Sequence, residues 1–158
     1  MIGMTSRKGR IRAAKPEEAA FISALALRSK AHWGYARSFL EASKETLTLT
    51  PADIDAGAVN VMELNGEVIG FYGLSVHDDD SLWLDYLFVD PGAIGYGFGK
   101  KLWRHAVVNA GTLNHSAIFL ECDRYSRAFY ERMGAVCIAQ IYSSHTEGER
   151  LPIMRYAL

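Results

Sequence analysis

The strongest constraint in the chain is a change of period inside one stretch. Leu82 to Val89 reads as a strand, Pro91 stops it, and glycines follow at 95, 97 and 99. Phe98, Leu102, Ala106 and Ala110 then recur every four residues, with Lys100, Lys101, Arg104 and His105 mostly off that stripe. That is an amphipathic helix, closed by Gly111. A strand that enters a helix through a glycine loop needs a sheet for the helix to lie on, so an α/β (α+β) fold is expected.

The flanking segments supply that sheet. Val59 to Leu64 runs into Asn65-Gly66, the strongest two-residue hairpin signal, and Val68 to Val76 returns. Asp78-Asp79-Asp80-Ser81 turns the chain into Leu82 to Val89, which completes a three-strand antiparallel meander. Ahead of it, Ile11 to Ala14 forms a short strand. Pro16 with Glu17 and Glu18 starts a helix whose apolar stripe is Phe21, Ala24 and Leu25. A second helix covers Tyr35 to Lys44, and Thr50-Pro51-Ala52-Asp53 caps a short third one. Beyond the amphipathic helix come a strand at Ala117 to Cys122, a short helix capped by Asp123, and strands at Ala135 to Tyr142 and Leu151 to Tyr156. Residues 1–9 read as a loose tail and residues 10–158 as one domain, a size at which a chain that is 49% apolar builds its own core.

A formal net charge of −1 gives no global field for nucleic acid or an anionic membrane, and no apolar run is long enough to span a bilayer. Cys122 and Cys137 stand apart, without the spacing of a zinc site or a disulfide framework, which fits a cytoplasmic protein. His77-Asp78-Asp79-Asp80 reads as a solvated turn, and no metal is assigned.

Glycine amides at a helix start can hold a pyrophosphate, and spacing decides which family uses them. A dinucleotide loop requires G-x-G-x-x-G, but the third position falls on Lys100 or Leu102; a P-loop requires a hydroxyl where Lys101 stands. Val89-Asp90-Pro91, Gly97-Phe98-Gly99 and Phe129-Tyr130-Glu131-Arg132-Met133-Gly134 instead resemble, in order, the strand end, acetyl-CoA loop and following helix of the GNAT superfamily of N-acetyltransferases. The likeness covers about residues 10 to 158. Two positions depart from it: Ile94 replaces the usual Gln or Arg, and Tyr125 stands where asparagine is common.

The resemblance implies a mixed, mostly antiparallel sheet flanked by helices, with a splayed parallel pair formed by Leu84 to Val89 and Ala117 to Cys122. It implies acetyl-CoA as co-substrate. The pantetheine would lie along Leu87, Phe88 and Val89, a backbone N–H near Leu87 or Phe88 would polarise the thioester, and the pyrophosphate would rest on Ile94, Gly95, Tyr96, Gly97, Phe98, Gly99 and Lys100. Tyr125, Ser126 and Phe129 complete the expected cofactor contacts, and Tyr130 matches the family's tyrosine near the sulfur, as an acid for the leaving thiolate or as a core side chain.

Asp85 is a candidate from the strand pattern. Alternation puts Trp83, Asp85, Leu87 and Val89 on one face and Leu82, Leu84, Tyr86 and Phe88 on the other, so Asp85 reads as a buried carboxylate among apolar neighbours. It is expected to be a base of raised pKa, an anchor for a cationic substrate or a structural tie. Trp33 and Tyr35, within His32-Trp33-Gly34-Tyr35, either join two helices in the core or cover the acceptor; Ser143, leading into Ser144, His145, Thr146 and Glu147, either closes the same pocket or belongs to a solvated hairpin. The expected acceptor is a primary amine on a small molecule, with a peptide or protein amine, or a non-catalytic CoA-binding domain, as alternatives. A homodimer is compatible with the chain.

Overall fold

At the Asn65-Gly66 turn both residues take positive φ, 54° and 81°, the conformation that lets two right-twisted strands join through two residues. The turn joins β2 (Ala58–Leu64) to β3 (Glu67–Val76), and β4 (Leu82–Val89) returns antiparallel beside β3. The structure, a computed structural model, describes residues 9–143 and 148–158. Within them β1 (Arg10–Ala13) pairs with β2, β5 (Ala117–Glu121) runs parallel to β4, and β6 (Val136–Tyr142) pairs with β7 (Arg150–Ala157). The resulting seven-stranded sheet has the order β1-β2-β3-β4-β5-β7-β6, the mixed, mostly antiparallel architecture that the sequence implies.

Helices cover both faces. On one, α4 (Phe98–Gly111) buries Phe98, Leu102, Trp103, Ala106 and Ala110 against Met62, Tyr72, Leu84, Ile118 and Met154, joined by Tyr130 of α5 (Arg127–Arg132). The expected stripe of α4 is the observed one. A polar anchor backs it: the Tyr72 hydroxyl lies 2.7 Å from His105 Nδ1 and accepts from Asn60 and Asn109 at 3.0 and 3.2 Å. On the other face α1 (Ala19–Ala31) and α3 (Pro51–Ala56) pack on Val59, Val61 and Phe71, and α2 (Arg37–Ser43) follows α1. Thr50 caps α3 as expected, accepting from Asp53 N at 3.2 Å.

The face of α1 differs from the sequence expectation. Ala19, Ile22, Leu25, Ala26 and Ser29 are buried, whereas Phe21 is 51% exposed. Apolar residues ring this helix, so periodicity alone does not select a side; contact with the sheet does. The start of α1 is fixed by Arg12, which donates to both carboxylate oxygens of Glu18 at 2.8 Å and to Glu63 at 2.7 Å. The guanidinium holds the Glu18 carboxyl below the usual range, so this tie is intact above that range and is lost as pH falls through the lowered value.

Leu102 is fully buried between α4 and the sheet, so Leu102→Ala is expected to destabilise the protein by about 2–5 kcal/mol in urea unfolding. Phe21→Ala, at the corrected position, should change stability by less than about 1 kcal/mol in the same measurement.

Candidate active site

The site begins at a fault in strand pairing. Gly73 pairs with Tyr86 but Leu74 pairs with Leu84, so Asp85 is an extra residue in β4, a β-bulge. The alternation expected from the sequence therefore breaks at Asp85. Leu82 and Leu84 pack with Leu87 and Val89 on the α4 side, while Tyr86 and Phe88 pack with Phe71 on the α1 side. β4 and β5 are in register at Trp83 and Phe119 and then diverge, which leaves backbone groups of β4 facing a gap.

That gap is part of a cleft of about 1480 Å³. Every residue singled out from the sequence as a site residue lines it except Tyr96, whose ring packs instead toward Phe98 at 6.2 Å. At one end lies the glycine loop. Gly97 precedes α4 with φ 81° and Gly95 has φ 95°; a Cβ built on either meets nothing within 4 Å, so the loop borders open space. The first amides of α4 have no acceptor within the helix and carry its positive dipole end. At Gly99 α4 faces α5, a notional Cβ falling 3.7 Å from the Phe129 ring, an ordinary contact distance. Lys100 and Arg132 also line the cleft, the second a cation that the sequence reading did not single out. A polyanionic pyrophosphate with a narrow pantetheine arm fits this combination of open glycine surface, helix start and splayed strand.

Tyr130 and Cys122 form the buried wall. Burial raises the Tyr130 phenol above its ordinary value and pushes the Cys122 thiol up to about 12, so both groups hold their protons at neutral pH. Tyr130 is fixed by edge contacts with Trp103 at 5.7 Å and Phe129 at 5.1 Å.

Asp85 is not a buried carboxylate. Its side chain is 29% exposed, on the side of the sheet that also carries Trp83 and Ser75. One oxygen accepts from the Ser75 hydroxyl, and the other lies 3.0 Å from His77 Nε2. The expectation of a carboxylate isolated among apolar side chains is corrected accordingly. His77 was grouped by sequence with the solvated turn. That turn exists, with His77 N donating to Ser81 O at 2.8 Å, but the imidazole itself lines the cleft and stacks on Trp83 at 4.9 Å.

An aromatic bridge crosses the cleft. Trp33 and Tyr35, between α1 and α2, meet Tyr125, between β5 and α5, at centroid distances of 5.9 and 5.2 Å. Trp33 is 44% exposed, so this cluster lies at the cleft rather than in the core. Tyr125 thus packs against the expected acceptor residues, while Ser126 sits in a turn where Asp123 accepts from the Tyr125 and Ser126 amides at 2.9 Å. Lys30, also missed from sequence, sets its ammonium 5.1 Å from the Phe39 ring and 5.7 Å from Tyr35; burial lowers its pKa, opposed by Asp123, Glu121 and Glu149. Ser143 lines the cleft, whereas Ser144, His145, Thr146 and Glu147 lie outside the described residues. No helix among the described residues is long and apolar enough to cross a membrane.

Comparison with known proteins agrees with this geometry. The profile of the acetyltransferase (GNAT) family matches residues 21–135. The 5-NmdU N-acetyltransferase of Pseudomonas phage PaMx11 is 32% identical over 129 residues, spanning 78% of this chain and 84% of that protein. In fold, the chain is similar to a GCN5-related N-acetyltransferase structure from Rhodopseudomonas palustris, with a TM-score of 0.77 and 21% identity over 96% of each chain. It is equally similar to the PaiA N-acetyltransferase of Thermoplasma acidophilum in complex with coenzyme A, with a TM-score of 0.77 and 17% identity over 96% of this chain and 99% of that one. The chain belongs to the GNAT family of acetyltransferases. It is an acyltransferase whose acetyl donor is acetyl-CoA.

Two glycine substitutions separate loop geometry from helix packing. Gly97→Val puts a branched side chain at φ 81° into the open surface and should weaken acetyl-CoA binding in calorimetry by about tenfold or more, with strain of about 1–3 kcal/mol. Gly99→Ala adds only an ordinary contact with Phe129 and should leave that affinity within about threefold.

Proposed function

We propose that this acetyltransferase acts on a primary amine of a small molecule and transfers the acetyl group directly, with donor and acceptor bound together. The observation that carries the reading is the aromatic bridge of Trp33, Tyr35 and Tyr125, which makes the acceptor end a walled pocket rather than an open groove for a folded protein. The phage relative is named for acetylating 5-NmdU, which supports a non-protein acceptor. Direct transfer is supported by Cys122: a thiol pushed up to about 12 is a poor nucleophile at neutral pH, so it is unsuited to carry the acetyl group in between.

Acetyl-CoA, when bound, supplies the acyl group as a thioester. The glycine loop and the start of α4 hold its phosphates, the open edge of β4 from Leu87 to Val89 pairs with its amide groups, and a β4 N–H polarises the carbonyl. Tyr130 gives a proton to the departing sulfur. Asp85 serves the acceptor amine at the exposed end of the cleft. An amine panel followed by release of free CoA tests the whole reading: turnover is expected with small primary amines, and turnover with peptides alone would overturn the small-molecule assignment.

Tyr130→Phe keeps the ring and should lower stability by about 1 kcal/mol, while kcat and kcat/KM fall together at nearly constant acetyl-CoA affinity. With acetyl donors of increasingly acidic thiols the penalty should shrink. Equal penalties across donors would leave Tyr130 as a packing residue.

A further inference from the structure

We propose that His77 is the group that takes the amine's proton, with Asp85 as its positioning residue. The proposal rests on the function proposed above and assigns its acceptor-side proton transfer to a different side chain. Both oxygens of Asp85 are already engaged, one by the Ser75 hydroxyl and one by His77 Nε2 at 3.0 Å. A carboxylate with both oxygens occupied in this way is well placed to hold an imidazole. Because Nε2 points at a carboxylate oxygen, the neutral ring carries its hydrogen there and donates it, which leaves the Nδ1 lone pair as proton acceptor on a side chain that lines the cleft.

The rest of the cluster fixes the ring plane. Trp83 stacks on the imidazole at 4.9 Å with 14° between planes, and its indole N–H is held by the Ser81 hydroxyl at 2.8 Å. The backbone of His77 is tied into the turn through Ser81 O and Asp80 N. The carboxylates facing the imidazole are Asp85 from β4 and Asp79 from its own turn. The register makes the arrangement possible: Ser75 pairs with Trp83, so Asp85 two residues on lies on the same side as Ser75 and His77.

The proton balance follows. An ammonium loses two protons on becoming an amide. His77 Nδ1 takes the first, freeing the nitrogen lone pair to form the C–N bond as the C–S bond breaks, and passes it to solvent. The second leaves nitrogen after attack and restores the Tyr130 phenol, which has given its own proton to sulfur, so amide, free thiol and one released proton balance the step.

The experiment combines ring ¹⁵N spectra of the intact protein with pH–rate profiles for wild type, His77→Gln and Asp85→Asn. An ordinary alkylamine is compared with a weakly basic fluorinated amine that is already neutral at pH 7. The wild-type spectrum is expected to show the Nε2–H tautomer at His77, and Asp85→Asn to remove that preference. His77→Gln should lower kcat/KM for the alkylamine at pH 7 by about 10²-fold or more, and for the neutral amine by less than about threefold. Its acid limb should move to the ionisation of the amine itself, with acetyl-CoA affinity unchanged. An Nδ1–H tautomer, equal penalties for the two amines, or a limb lost in Asp85→Asn but kept in His77→Gln would overturn the proposal while leaving the acetyltransferase reading intact. Failure of the wild type to release CoA with any amine would overturn the proposed function and this assignment together.

Discussion

An unpaired backbone edge inside a sheet is the constraint on which the rest of this molecule depends. Beyond Trp83 and Phe119, β4 and β5 part, and the amide and carbonyl groups along the open side of β4 lose a strand partner. Such groups are unfavourable when buried without partners, so a persistent gap has to be filled by something with complementary amides. In the proposed complex the pantetheine arm would supply them, acting as an added strand. The two helical layers hold the gap open: α4 and α5 pack Leu102, Trp103 and Tyr130 on one side, and α1 packs Ile22 and Leu25 on the other.

The bulge at Asp85 is what lets one strand serve both layers and the site. Without it, Asp85 and Leu87 would share a face, and Leu87 and Val89 would leave the apolar cluster under α4 for the side that holds the carboxylate. With one extra residue, Leu87 and Val89 stay in that cluster while Asp85 joins Ser75, His77 and Trp83 on the opposite side. A single backbone irregularity thus separates the surface that packs from the surface that handles charge, in keeping with the frequent occurrence of bulges beside active sites.

Most of the fold was legible in the sequence because local chemistry dictates it. Asn65-Gly66 needs positive φ, the four-residue spacing from Phe98 to Ala110 defines one helix face, and the glycines before it exclude a regular element. The glycine loop was legible for the same reason, whereas Tyr130 was read from the resemblance of Phe129 to Gly134 to a family motif. What escaped depends on pairing between distant segments. A period-2 reading of β4 assumes an unbroken ladder, so it put Leu87 and Val89 on the face of Trp83 and Asp85 and read the carboxylate as buried among them. It also hid His77, whose sequence neighbours are solvated aspartates and whose partner arrives only through the β3–β4 register. Lys30 and Arg132 carry no local signal, since a cation on a helix is usually solvated. The α1 face was misjudged because its apolar residues surround the axis, leaving the sheet to decide which of them is buried.

The two ends of the cleft differ in solvation, and in the proposed reaction that difference gives each proton a direction. Tyr130 is 7% exposed, and burial raises its phenol and the neighbouring Cys122 thiol, so both hold their protons at the sulfur end. The His77 and Asp85 side chains are 43% and 29% exposed, so a proton taken there exchanges with solvent. A proton needed by the thiolate is therefore retained where it is used, and a proton that must be discarded is taken up where it can leave. Reversing the two environments would trap charge at the amine and let water compete for the thioester, so in the proposed reaction the exposure of His77 and Asp85 matters as much as the packing that buries Tyr130.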